Sequence, residues 1–307
     1  MLPHFPKFKP LELSDAESVQ RFTVRYAPFS DFNFACLWSW NIESCVLLSE
    51  LNGNLVVRLG DYVTGEVFYS FLGDSRVNET VEALIDLSCR ENLEPRLQLV
   101  PEVAAGQLDT ERFAITEDDR HADYILMVDR LCRYQGSRLA SKRNEVRKFL
   151  RLCPQTRFEV LNLRDGSVIA QCQALFRRWN ERRNAERDPE ADREFKAFER
   201  CLEGQAHFPL VGAGIFADDV LVAVSILEVV DNQYAFTHFE KADMTNFPGI
   251  GSFLNQQVAN LLASRGIQYI NIEQDLGIAG LRMSKRSYFP CGYLRKFSVS
   301  YRESQAA

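Results

Sequence analysis

The chain has 307 residues, 46% of them hydrophobic and 25% charged, with 16 Gly and 11 Pro, which allows about two domains with cores of their own and excludes disordered and collagen-like classes. Lys and Arg number 36 against 42 Asp and Glu, a formal net charge of −6, so a surface that is basic throughout is excluded and any nucleic-acid or anionic-lipid site must be local. No run approaches the roughly 20 apolar residues of a membrane span, the Pro-containing start lacks an apolar signal core, and eight cysteines fall singly without a C-x-x-C pair, which predicts reduced thiols and a cytoplasmic protein.

In chain order, Lys9 to Leu13 predicts a short strand, Ser14-Asp15 the cap of a helix running to about Tyr26, and Phe32 to Trp40 an aromatic-rich helix. Cys45 to Leu51 and Leu55 to Leu59 flank Asn52-Gly53, a strong hairpin signal. Val67 to Leu72 continues the meander, and Val77 to Arg90 carries Val81, Leu84, Ile85 and Leu87 at helical spacing. Arg96 to Val100 and then Tyr124 to Val128 close a first lobe, residues 1–130.

Residues 131–155 predict a basic connecting helix. Leu139, Val146 and Leu150 fall on one side with Phe149 at its margin, while Arg143, Arg147 and Arg151 step by four along an adjoining stripe. Residues 136–152 hold six cations and one acid in an acidic protein. Lys142, Arg143, Arg147 and Arg151 are therefore candidate contacts for nucleic acid or another anion, against the alternative of a solvated helix face.

Residues 156–307 repeat the order of the first lobe. Phe158 to Leu163 predicts a strand, 167–204 two helices broken near Asp188-Pro189, and Leu210 to Phe216, Val220 to Val230 and Tyr234 to Lys241 three strands. Pro248-Gly249-Ile250-Gly251 opens a helix to Ser264; Ile267 to Ile272 is strand, Gly277 to Tyr288 helix, and Tyr293 to Tyr301 a final strand. The near-identical order predicts a structural duplication.

Glycines before a helix let backbone N–H groups approach a phosphate, with the helix dipole assisting. Gly249 and Gly251 are thus candidate donor-phosphate contacts, although the dinucleotide fingerprint and the P-loop ending are absent. Three antiparallel strands before this loop and strand-helix-strand after it resemble the acetyltransferase superfamily known as GNAT, in which the loop holds the coenzyme A pyrophosphate. Asn246 stands where that superfamily usually has Gln or Arg. Tyr288 with Gly292-Tyr293 is similar to its Tyr-x-x-x-Gly-Phe, which implies a tyrosine that protonates a leaving group.

A more specific resemblance rests on Ser30-Asp31-Phe32-Asn33-Phe34, Lys142-Arg143-Asn144, His238-Phe239-Glu240-Lys241-Ala242 and Glu273-x-Asp275-x-Gly277-x-x-Gly280-Leu281-Arg282-x-x-Lys285-x-Ser287-Tyr288. Over nearly the whole chain these resemble a bacterial family related to the C-terminal catalytic domain of phosphatidylglycerol lysyltransferases. The resemblance implies an α/β fold of two tandem GNAT-like (acyl-CoA N-acyltransferase) lobes with mixed, mainly antiparallel sheets, the chemistry in the second.

Strand alternation predicts that His238 and Glu240 share a face, where they could deprotonate an amine, and that Glu273 and Asp275 share a face suited to binding a cationic amine. Arg282 and Lys285, three apart on the next helix, could neutralise that acid pair or a donor phosphate. Buried structural bonds are the competing account for all six. There is no Gly-x-Ser-x-Gly elbow, no His-Glu-x-x-His, and the four histidines (His4, His121, His207 and His238) lack metal-ligand spacing.

The expectation is an acyl or aminoacyl transferase with His238 or Glu240 as base and Tyr288 as acid. Acyl-CoA or aminoacyl-tRNA would be co-substrate, no cofactor or metal is tightly bound, and the acceptor is a small molecule or a lipid head group, in the cytoplasm or peripheral to the inner membrane face. The rival is a non-catalytic ligand-binding module that keeps the duplicated fold.

Overall fold

The computed structural model describes residues 1–183 and 189–302, and contacts among Cα atoms divide it into two units. The first comprises Met1–Asp123, Gln274–Ile278 and the residues from Leu294 on; the second comprises Tyr124–Glu273 and Ala279–Tyr293.

In the first unit the chain forms β1 (Lys9–Pro10), α1 (Ala16–Thr23), α2 (Phe34–Trp40), β2 (Leu47–Leu51), β3 (Asn54–Gly60), β4 (Val67–Leu72), α3 (Val77–Arg90), β5 (Arg96–Pro101), α4 (Glu102–Ala105) and β6 (Phe113–Glu117). Asn52 and Gly53 both take positive φ, 55° and 82°, which joins β2 to β3 in register. Asn33 caps α2 by accepting the Cys36 N–H at 3.0 Å. Val81, Leu84 and Ile85 of α3 are buried against Val56, Phe71, Leu97 and Val100 of the sheet, while Leu87 is only partly covered. Each fully buried side chain of this kind contributes about 1.5–3 kcal/mol.

The second unit contains β7 (Asp123–Met127), α5 (Val128–Arg133), α6 (Ala140–Leu152), β8 (Arg157–Leu161), α7 (Gly166–Arg183), α8 (Pro189–Glu203), β9 (Leu210–Ala217), β10 (Val220–Val229), β11 (Tyr234–Ala242), α9 (Ile250–Ser264), β12 (Tyr269–Asn271), α10 (Ala279–Arg286) and β13 (Gly292–Leu294). The last strand, β14 (Lys296–Tyr301), belongs to the first sheet. The expected helix break near Asp188-Pro189 falls partly on Asp188, outside the described residues; α8 starts at Pro189. Helix α9 has no charged residue and is buried by the sheet and by α5 and α6, with Leu254, Val258 and Leu262 at its core. Among the described residues no helix is long and apolar enough to cross a membrane.

The two seven-stranded sheets have equivalent orders, β1-β2-β3-β4-β5-β14-β6 and β8-β9-β10-β11-β12-β7-β13. The fourth and fifth strands are parallel in each, β4 with β5 and β11 with β12, and every other pairing with a recorded register is antiparallel. Two expectations fail here. The strand 124–128, expected to close the first lobe, pairs with β12 of the second sheet; and the final strand, expected as one piece in the second lobe, divides into β13 there and β14 between β5 and β6. The unit boundaries accordingly differ from cuts at 130 and 155, and α6 packs within the second unit instead of standing apart.

A buried ion cluster explains why β14 is held in the first sheet. Lys296, Asp31 and Asp123 are all fully buried; the Lys296 ammonium donates to Asp123 at 2.7 Å and to Ser30 Oγ at 3.1 Å, and is paired with Asp31. Asp123 also accepts the Ser30 N–H at 2.8 Å, and Asp31 accepts from Tyr62 at 2.8 Å and Gln274 at 3.0 Å. Burial alone would raise the Asp31 carboxyl, but Lys296 beside it brings it below the usual carboxylate range; burial, reinforced by Asp31, keeps Asp123 above it.

Candidate functional site

The second unit gathers a cluster of titratable groups between β11, α6, α9 and the C-terminal end of α10. Glu240 pairs across the sheet with Ser225, and its Oε1 accepts from Asn255 Nδ2 at 2.9 Å, one turn into α9. The same Asn255 amide lies 3.3 Å from the Tyr288 hydroxyl and 3.0 Å from the Gly251 carbonyl. Tyr134 donates to the Ser252 carbonyl at 2.6 Å, Ser252 Oγ donates to Glu145, and the Lys142 ammonium sits 4.4 Å above the Tyr288 ring and 3.6 Å from Glu145.

Burial pushes the Glu240 carboxyl up to about 7, tempered by the Asn255 bond and by Lys241, Lys285 and Lys142. A carboxylate in that range is half ionised near neutrality, which suits proton abstraction from an ammonium or hydroxyl. Burial and the neighbouring Glu240 charge hold the Tyr288 phenol well above its usual range, so it stays protonated and can donate.

His238 does not share this face. The β10–β11 register slips between Ile226 and Leu227, so that Phe239 opposes Ile226 and Thr237 opposes Leu227, leaving His238 as the extra residue of a bulge. Its ring stacks on Phe236 at 5.3 Å, and Phe236 pairs with Glu228. His238 Nδ1–H donates to Glu273 at 2.8 Å and Nε2–H to Glu228 at 2.9 Å. Burial would lower its pKa, but the two carboxylates outweigh this and raise it to about 9. An imidazolium with both nitrogens engaged cannot accept a proton, whereas the Glu240 carboxylate can.

Glu273 and Asp275 are also separated. Strand β12 ends at Asn271; Glu273 lies beyond it with φ of 58°, and Asp275 belongs to the first unit, fully buried and accepting the Gly277 N–H at 2.8 Å. No alternating strand carries them, and the expected amine-binding pair does not form. Lys285 donates to the Ile272 carbonyl and approaches Tyr124 at 6.0 Å; Arg282 is half-buried on the same helix.

At the expected phosphate loop, Gly249 packs directly against helix α6. Gly249 takes φ of 93° as the cap of α9, and a Cβ placed there would meet the Glu145 carbonyl oxygen at 2.4 Å and Phe149 Cβ at 3.3 Å. Thus the glycine serves close approach of α6. The Glu145 carboxylate, bonded to Ser252, already complements the first turn of α9. Asn246 folds back on Asp243 at 2.9 Å, and Gly251 follows as the second residue of the helix. Gly249→Ala is expected to cost about 1–3 kcal/mol of stability with no ligand present, read by denaturant unfolding, because both the positive φ and the contact are violated.

The basic stripe divides as well. Arg143 is half-buried and donates to the Gly136 carbonyl at 2.7 Å and to that of Tyr134, finishing α5; Lys142 turns toward Tyr288. Arg147 and Arg151 are exposed, together with Lys148. The buried face is Val146 and Phe149, whereas Leu150 is 47% exposed, because α9 packs under the 146/149 spacing.

The sequence reading missed Asn255, Ser252, Glu145 and Glu228. Two of these carried a signal: Glu228 is an acid inside the apolar run of β10, and Asn255 is a polar position in an uncharged buried helix.

Two sheets of equivalent order, each with one parallel pair and with helices at corresponding points in the chain, define a mixed α/β protein of two tandem GNAT-like lobes. The chain belongs to the family described as phosphatidylglycerol lysyltransferase, C-terminal, which it matches over residues 24–299. A conserved protein of unknown function from Bacteroides thetaiotaomicron is 26% identical and superposes with a TM-score of 0.84, over 98% of this chain and 100% of that one. L-PGS from Bacillus licheniformis (11% identity, TM-score 0.62, 95% and 93% covered) and FemX (10%, 0.57, 95% and 96%) share the fold. No curated protein matches the chain.

Proposed function

We propose that the protein transfers an aminoacyl group from an ester donor of the aminoacyl-tRNA class to an amine or hydroxyl acceptor. The observation that carries this reading is the Glu240 carboxyl, poised near neutrality and joined through Asn255 to a protonated Tyr288. Glu240 takes the proton of the acceptor N–H or O–H as it attacks the ester carbonyl; the tetrahedral intermediate collapses, and the departing alkoxide takes the Tyr288 proton. A phenol suits that step because an alkoxide is the stronger base.

Asn246, where the coenzyme A-binding loop usually has Gln or Arg, carries no charge and is bonded to Asp243, which favours an ester donor over coenzyme A. The family's name joins lysyl transfer to phosphatidylglycerol, which is consistent with an ester donor and leaves a lipid head group among the acceptors. The test offers the full chain aminoacyl-tRNA or acetyl-CoA with amine, hydroxyl and anionic-phospholipid acceptors. Transfer from the tRNA ester that is lost in Tyr288→Phe supports the reading; transfer from acetyl-CoA alone overturns the donor, and binding without any turnover leaves the rival binding module.

The exposed Arg147 and Arg151 supply phosphate contacts in this reading. Binding of tRNA should weaken with salt, and the double variant Arg147→Ala/Arg151→Ala should flatten the slope of log K against log salt by about 0.7–0.9 per lost contact. An unchanged slope removes α6 from the interface.

A further inference from the structure

Ser225 of β10 stands directly opposite Glu240 in the antiparallel pair, so the two side chains rise from the same face of the sheet. Ser225 is fully buried, and its Oγ has no hydrogen-bond partner. Its other cross-strand neighbour is Ala213 of β9, and Ala223, two residues back on the same face, is apolar as well. Small apolar side chains satisfy the packing here, and a buried hydroxyl left unpaired carries a penalty that alanine would avoid. The cross-strand neighbour with polar side-chain atoms is Glu240. Directly opposed residues hold their Cβ atoms about 4.5–5.5 Å apart, a gap that a rotamer change of the longer side chain closes.

The Asn255 amide, for its part, is short of hydrogens. Its Nδ2 has two and lies within reach of three acceptors: Glu240 Oε1 at 2.9 Å, the Gly251 carbonyl at 3.0 Å and the Tyr288 hydroxyl at 3.3 Å. While Glu240 is ionised, the two shorter contacts take both hydrogens, because a charged acceptor holds its donor more tightly than a neutral one. Tyr288 is then left with the longest contact.

We propose that Ser225 and Asn255 are positioning residues that pass Glu240 between two hydrogen-bonded states. Ionised, Glu240 accepts from Asn255; protonated, it donates its new O–H to Ser225 Oγ and releases the Asn255 hydrogen to the Tyr288 oxygen. The part this exchange plays in turnover rests on the transfer reading above; the exchange itself does not. In that reading the proton on Glu240 comes from the acceptor N–H or O–H, and the proton leaving Tyr288 goes to the departing alkoxide. The Asn255 bond thus reaches the Tyr288 oxygen as it becomes a phenolate, and the amide keeps both of its hydrogens. Glu240 then gives its proton to solvent and Tyr288 takes one back, which closes the cycle with no net change.

The charged and titratable groups around Glu240 form a constant background. Lys142 and Glu145 come from α6, Tyr134 follows α5, Lys285 and Tyr288 come from α10 and its end, Lys241 adjoins Glu240 on β11, and α9 has no charged residue. Substituting Ser225 or Asn255 changes none of them. Loss of Ser225 removes a partner of the neutral carboxyl and lowers its titration midpoint, whereas loss of Asn255 removes a partner of the ionised form and raises it. A purely structural role for either residue does not predict opposite signs.

The full chain with carbon-13 in its glutamate carboxyl groups is titrated by NMR, and the Glu240 signal is identified by its absence from Glu240→Gln. The parent midpoint lies at about 7. Ser225→Ala is expected to lower it by about 0.4–1 unit, the worth of a neutral hydrogen bond, and Asn255→Leu to raise it by about 1–2 units, that of a bond to a charged group. Asn255→Ala is the second variant should leucine lower Tm. A midpoint unmoved by either substitution, or moved in the same direction by both, overturns the inference. Opposite shifts in a parent that transfers no aminoacyl group sink the transfer reading alone, and transfer in the parent with an unmoved Ser225→Ala midpoint sinks this inference alone.

Discussion

Glu240→Gln is expected to lower kcat by about 10²–10⁴-fold, the usual contribution of a positioned general base, while leaving the protein folded. Glutamine keeps the shape and the bond from Asn255 but cannot take a proton. In the parent, kcat should rise with pH and level off above about 7, because only ionised Glu240 accepts a proton; the variant should lose that inflection. Stability should move the other way. The folded pKa lies above the ordinary value of 4.5, so ionising the buried carboxyl costs stability progressively as pH rises from about 4.5 to 7. The glutamine variant therefore matches or exceeds the parent in chemical-denaturation stability at pH 8. A variant that loses turnover because it unfolds there, or one that keeps parental kcat, would remove Glu240 from the proposed role.

This result separates what the sequence carried from what it did not. The Asn52-Gly53 hairpin, strand β4, helix α3 and the helix opened by Gly249 were legible because each is specified by local chemistry: a turn, an alternation, a 3.6-residue period or a cap. The exchange of β7 and β14 was not, since a strand's own pattern does not name its partner. What holds β14 is Lys296 meeting Asp31, which is 265 positions away in the chain. The Ser30-Asp31 pair quoted for the family resemblance proves to be part of that buried cluster, so its meaning lies in the first core. The shared face expected for His238 and Glu240 does not hold, because one inserted residue reverses alternation. Likewise the glycine of the expected phosphate loop was placed at the right helix, but only the fold could show that α6 packs against it at Glu145.

His238→Gln should be the most destabilising of these substitutions and should also report the charge of the ring. Removing the imidazolium leaves Glu228 and Glu273 facing each other in a nearly closed site, since the His238 side chain is only 3% exposed. Breaking a buried ion pair in this way typically costs about 3–5 kcal/mol. The folded pKa of about 9 exceeds the ordinary histidine value of 6.5, so the stabilisation from protonation is fully present below pH 6.5 and is lost as pH rises through 9. A difference of that size corresponds to about 3 kcal/mol. Chemical denaturation of parent and variant at pH 6 and at pH 9.5 should therefore show a large gap that narrows at the higher pH, and an unchanged Glu240-dependent inflection in any surviving activity. Taking the difference between the two proteins cancels the titration of Glu240, which in any case is complete by about pH 8. A gap that widens with pH would mean that the ring is neutral in the folded protein, and would restore His238 as a group able to accept a proton.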